Sequence, residues 1–175
     1  ALVDYKSKGH SIELVGKEDV DGTECHKLKI NYKSGKVDTY FIDPNTYLLV
    51  WTTTPWTLIA NVAIAVHPDL DYVQVEIGDG EFKGDRFILG KDRLASVMEE
   101  AAIKDYRILK TVKGIDLEGL EARHPFIDRK SKVVLATYVT TEDGTGCVHT
   151  APGHGQDDYH TGRRYNLPTI MPVDG

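Results

Sequence analysis

G-T-G-C-V-H-T-A-P-G-H-G-Q-D-D-Y, residues 144–159, does not read as a core segment. It concentrates glycine, two histidines and two aspartates in sixteen residues, a polar, loop-rich cluster that costs stability unless it does chemistry. Gly144 and Gly146 permit close backbone approach and unusual φ values. A strand is expected over 146–150. Beyond it Gly153 and Gly155 flank His154, and Asp157-Asp158 open a short helix expected over 156–165. About ninety residues earlier lies a second anomaly, W-T-T-T-P-W-T-L at 51–58. Four threonines surround a proline and two tryptophans, where an ordinary strand would alternate apolar and polar residues.

Working outward, the rest of the chain is mostly β. Segments 12–16, 26–32 and 37–42 alternate roughly, separated by the turn signals D-G at 21–22, S-G at 34–35 and D-P-N at 43–45. Tyr47 to Thr53 reads as a buried strand that Pro55 ends, because proline cannot donate to a sheet ladder. A short helical turn and then strand are expected over 57–65, with further strands at 72–77, 87–89, 107–112, 120–122 and 133–139. Leu94, Val97, Met98 and Ala101 fall at helical spacing, which predicts a helix over 92–102 with Asp92 at its N-cap. Many short strands with one or two helices predict a single β-barrel-like α+β domain rather than a parallel βαβ array.

Bulk properties narrow the function. The 175 residues suit one domain, and 41% hydrophobic with 27% charged residues is ordinary for a globular protein. No apolar run reaches membrane-spanning length, no secretory leader is visible, and the only two cysteines, Cys25 and Cys147, form no disulfide framework. A reduced, cytoplasmic setting is the expectation. The net charge of −6 excludes a basic stripe of the kind that grips nucleic acid along its backbone. If RNA is the partner, only a short end should be touched, with another part of a larger protein supplying the grip.

The two polar stretches each allow more than one reading. Thr52, Thr53, Thr54 and Thr57 offer hydroxyls that both donate and accept, suited to a ribose, a phosphate or an ester carbonyl. A Thr-rich edge strand is the plainer alternative, since threonine favours sheets. In the second stretch, histidines five apart with nearby aspartates could hold a metal, but H-x4-H fits no common zinc signature. The other reading is a substrate pocket, with a carboxylate pairing a cationic ligand and a histidine shaping the wall. No metal and no cofactor are expected.

Taken together the two stretches resemble the editing-site motifs of isoleucyl-tRNA synthetases, and W-T-T-T-P-W-T-L followed by A-N and A-I-A-V-H-P-D looks like the isoleucyl form. Leucyl and valyl enzymes are similar but carry an arginine where this chain has Thr54. Ile59 departs from the family's usual proline ahead of Ala60-Asn61. The resemblance covers about residues 47–175 and implies the editing domain of a class I aminoacyl-tRNA synthetase. The implied activity is hydrolytic proofreading, which releases valine from valyl-tRNA(Ile) and acts on valyl-adenylate too if the shared pocket admits it. In that family the carboxylate matching Asp158 binds the α-amino group, and the histidine matching His149 lines the side-chain pocket and helps exclude isoleucine. The threonines matching Thr52, Thr53, Thr54 and Thr57, with Asn61, surround the terminal adenosine and the labile bond. Trp51, Thr150, Gly153, His154 and Asp157 join the expected substrate-binding set, His154 being equally readable as an exposed loop histidine. No Ser–His–Asp or Cys–His array is evident, so a positioned water is the expected nucleophile. The implied partners are the 3′ end of aminoacylated tRNA(Ile), its valine moiety and the rest of a synthetase, with no membrane. No ATP-binding motif is present, so the chain should not charge tRNA.

Residues 9–46 carry none of these candidates. They read as a three-stranded meander and resemble segments of periplasmic lipoprotein-sorting proteins, with Ala1–Lys8 compatible with the approach to the first motif. Two origins stay open, a divergent native insertion or a grafted meander, and the chimera is the slightly favoured expectation. A catalytically silent scaffold is the alternative function.

Overall fold

A computed structural model describes residues 11–20, 23–31, 33–34, 37–42 and 46–172. The chain divides between Thr46 and Tyr47 into two compact units. In the first, β1 (Ser11–Val20), β2 (Thr23–Asn31) and β3 (Val37–Ile42) form an antiparallel sheet in chain order. That is the expected meander. Its first ladder is bulged between Leu14 and Gly16. The expected turn residues 21–22, 35 and 43–45, and the segment 1–8, lie outside the described residues.

The second unit holds two four-stranded sheets. One runs β4 (Thr46–Leu48), β7 (Arg86–Gly90), β6 (Asp71–Ile77) and β8 (Tyr106–Lys113). The other runs β11 (Cys147–Thr150), β5 (Ala63–Val66), β10 (Lys130–Leu135) and β9 (Glu121–Arg123). β6 pairs antiparallel with β7 and β8, β10 with β9 and β11 with β5, whereas β5 and β10 are parallel. With α1 (Leu94–Glu100) and α2 (Gln156–Tyr165) this is an α+β fold. Among the described residues the ladders stay two open sheets and do not close into a ring.

Packing follows from which face each strand turns inward. Val73, Val75 and Ile77 of β6 and Phe87 and Leu89 of β7 bury against Leu94 and Met98 of α1. Tyr72 points away from that cluster and joins Ile64, Val66, Val133 and Cys147. β5 is buried at all four residues, as a central strand covered on both faces must be. Its other face carries Ala63 and Ala65, whose small side chains let Tyr165 and Leu167, at and beyond the end of α2, pack close.

Three expectations need correction. The segment 47–53 is not one buried strand: β4 stops at Leu48, and Tyr47 and Trp51 are exposed. The reason is that the backbone changes sheets, Leu49 N–H donating to Ile88 O (3.1 Å) and Trp51 N–H to Cys147 O (3.0 Å). Asp92 is not an N-cap, because a 3₁₀ turn over Lys91–Arg93 already has helical backbone and α1 follows it directly. The strand expected over 133–139 is displaced, since β10 spans Lys130–Leu135.

Candidate active site

Pro55 sets the first wall of the site. Its fixed φ suits the first turn of a helix, and residues Pro55–Ala60 form a 3₁₀ helix. That turn buries Thr57 and delivers Asn61, which is 5% exposed, to the start of β5. The second wall is β11, which pairs antiparallel with β5 and places His149 opposite Ile64. An isolated parallel bridge joins Trp51 to Val148, so the two motifs run side by side. Gly144 and Gly146 make this possible with φ of +67° and +76°. A Cβ at Gly144 would lie 2.8 Å from the Trp51 ring, a position only glycine can hold.

Where the walls meet, polar side chains form one connected chain. Asn61 Nδ2 lies 2.8 Å from Ala63 O and 2.7 Å from His149 Nδ1. A carbonyl only accepts, so the amide nitrogen must face Ala63 O and its other hydrogen goes to His149 Nδ1. Nδ1 is then the acceptor, and the ring carries its proton on Nε2. Nε2–H donates to Thr57 Oγ1 at 2.8 Å, and the Thr57 hydroxyl donates to Thr54 O at 2.8 Å. Ser131 Oγ donates to Asn61 Oδ1. Burial, with the charges of His124 and His154, holds His149 down at about 4, so it is neutral at physiological pH. Both ring nitrogens are engaged, and His149 has no free lone pair with which to act as a base.

The remaining threonines extend this chain toward the surface. Thr52 Oγ1 accepts from Thr54 N–H (3.1 Å) and lies 3.4 Å from Thr54 Oγ1, which is 3.3 Å from Thr57 Oγ1. Thr53 is exposed. Beyond β11 the chain turns, and Ala151 N–H donates to Asp158 Oδ2 at 2.9 Å, tying the first turn of α2 to the strand end. Burial pushes the Asp158 carboxyl up, against the Ala151 hydrogen bond that lowers it. Oδ1 makes no hydrogen bond among the described residues.

Other expected site residues sit differently. Thr150 is fully buried. Gly153 is held by packing, since a Cβ there would meet Ile170 O and Met171 Sδ at 2.9 Å. His154 is exposed, its amide donating to Ala151 O (2.9 Å), and its charge reaches both His149 and Asp158. Asp157 lines a separate hollow of about 250 Å³ with Tyr138, His160, Thr161 and Arg164, which none of the threonines of the first motif lines. Cys147 is buried and its thiol is pushed up to about 12, so it supplies no thiolate. Among the described residues no group of three or more His, Cys, Asp or Glu side chains converges to hold a metal.

Three contributors lie outside both motifs. His124 Nε2–H donates to Leu58 O (2.9 Å), and Arg129 Nη1 donates to Asn61 O (2.8 Å) and Ile59 O (3.3 Å), clasping the 3₁₀ turn. Ser131, 2% exposed, is the third. Strand parity signals it, because Lys130 and Lys132 face outward and set Ser131 inward with Val133.

The family model for the leucyl-tRNA synthetase editing domain matches residues 36–174. The chain belongs to this family. Isoleucine–tRNA ligases are among the relatives of this editing domain. That of Petrotoga mobilis is 51% identical over 162 residues, covering 87% of this chain and 17% of the relative. That of Staphylococcus saprophyticus is 54% identical over 136 residues, covering 76% and 14%. The editing domain thus spans only a small part of the curated relatives it matches. Residues from 47 onward make up less than three-quarters of the chain, so the Petrotoga match extends into segment 9–46 and lends the grafted origin no support. In fold, the domain resembles the cytosolic leucyl-tRNA synthetase editing domain of P. knowlesi, with a TM-score of 0.58, 20% identity, and 69% and 52% of the two chains covered. The P. falciparum counterpart gives 0.58, 19%, and 69% and 47%. Among the described residues no helix is long and apolar enough to cross a membrane.

Proposed function

We propose that this editing domain hydrolyses the ester of valyl-tRNA(Ile) as the proofreading part of a longer cytoplasmic isoleucyl-tRNA synthetase. The observation that carries the reading is the Thr57–His149 hydrogen bond, which joins two motifs 92 residues apart into one pocket wall. A synthesis pocket gains little from one methylene, the limit for which isoleucyl-tRNA synthetase is the standard illustration, so a second site is required. Thr52, Thr53 and Thr54 take the terminal adenosine and the labile bond, with the rest of the synthetase holding the tRNA body. Asp158 receives the α-amino group, its Oδ2 pinned by Ala151 and its Oδ1 turned to the substrate ammonium. His149, neutral and held at both nitrogens, is a fixed wall rather than a base. The nucleophile is therefore a positioned water, activated partly by substrate hydroxyls.

The test incubates the chain with valyl-tRNA(Ile) and isoleucyl-tRNA(Ile) separately. Selective valine release is expected, and Asp158→Asn should slow it about 10²-fold or more, as loss of a charged anchor does. No release of either amino acid would mark a silent scaffold.

A further inference from the structure

The hydrogen bonds of the site run in one direction, and they start at a residue in neither motif. Ser131 lies on β10, two strands from β11, with its hydroxyl on Asn61 Oδ1. Asn61 has two amide hydrogens. One is taken by Ala63 O and the other by His149 Nδ1, Thr150 O lying farther off at 3.5 Å. Rotating the amide by half a turn would set Oδ1 against Ala63 O, two acceptors facing each other, and would leave the Ser131 hydroxyl facing an amide N–H. His149 would then have to carry its proton on Nδ1. Nε2 would become an acceptor, the Thr57 hydroxyl would turn to it, and Thr54 O would keep only the Thr57 N–H as donor. We infer that Ser131 is a positioning residue of the editing site: its hydroxyl, together with Ala63 O, fixes the Asn61 amide, which holds His149 as the Nε2–H tautomer and sends the Thr57 proton to Thr54 O. Removing the hydroxyl strands a buried amide oxygen, and a stranded acceptor costs enough to reorganise its neighbours.

The assignment of a tautomer needs no substrate, whereas its catalytic consequence rests on the deacylase reading above. Long-range ¹H–¹⁵N correlation spectra of the ¹⁵N-labelled chain report the protonation of each ring nitrogen. The expected result is a pyridine-like Nδ1 and a pyrrole-like Nε2 for His149. Ser131→Ala should mix the tautomers and lower kcat for valine release about tenfold with KM little changed, and Ser131→Thr, which keeps the hydroxyl, should restore both. Asn61→Asp, which cannot donate to the ring, should move the proton to Nδ1 and gives a second reading if Ser131→Ala does not fold. A wild-type ring protonated at Nδ1, or an unchanged Nε2–H ring in Ser131→Ala, overturns the assignment. Expected tautomers in a chain that releases no valine would instead sink the deacylase reading and leave the role of Ser131 in positioning Asn61 standing.

Discussion

His149 is buried, neutral and bonded at both ends, and its stability cost depends on pH. Burial holds its folded value at about 4, below the ordinary 6.5 of the unfolded chain. Above 6.5 both states are neutral and the residue contributes no pH dependence. Between 6.5 and 4 the unfolded chain binds a proton that the folded chain refuses, so stability falls as the pH falls through that window, by on the order of 3 kcal/mol in full. Asp158, whose carboxyl burial pushes up, acts in the opposite sense. The clean measurement is therefore a difference. Urea midpoints at pH 7.5 and 4.5 should separate by more in the wild type than in His149→Gln, and equal separations would show that the imidazole is not held neutral. At this scale the sequence was informative about identity and silent about partners. Thr57, Asn61 and His149 stand out by residue type, but nothing in their spacing says that one imidazole bridges the other two.

Elements fix where Asp158 sits. α2 approaches the end of β11 so closely that a Cβ on Gly162 would lie 2.7 Å from Pro152 Cγ. Replacing glycine by alanine inside a helix ordinarily gains up to about 1 kcal/mol. Here overpacking against a rigid proline ring costs about 1–3 kcal/mol, so the clash wins. Gly162→Ala should lower Tm and also slow valine release, because α2 must move and carries Asp158 with it. A higher Tm in thermal unfolding would show that the gap is not filled. The helix was legible from its aspartate start, and it spans Gln156–Tyr165 as the sequence suggested. The threonine segment was not legible as an element. Periodicity registers burial and alternation, and a strand that leaves one sheet at Leu49 and meets another at Trp51 keeps neither. Asp92 misled for a related reason: the propensity for an N-cap is real, but a preceding 3₁₀ turn had already started the helical backbone.

At the level of the molecule, the hydrogen bonds described for the pocket belong to the unit that begins at Tyr47. A chain starting at Thr46, where β4 begins, should therefore fold and keep the His149 tautomer and its valine selectivity, with kcat/KM changed by less than about threefold. Loss of folding in circular dichroism would show that the meander is required. The meander itself was readable from alternation and turn residues, whereas Ser131 was not singled out, because parity gives its face and not the Asn61 amide 70 residues away. That separation along the chain has a consequence for synthesis. β5 is buried on both faces, yet both of its sheet neighbours, β10 and β11, come later in the chain. A ribosome working from the N-terminus delivers Thr57 and Asn61 long before the strand that carries His149. Closing that loop costs entropy that no local contact returns. The candidate site is thus among the last parts of the domain to exist, completed only once the chain beyond residue 150 has cleared the exit tunnel.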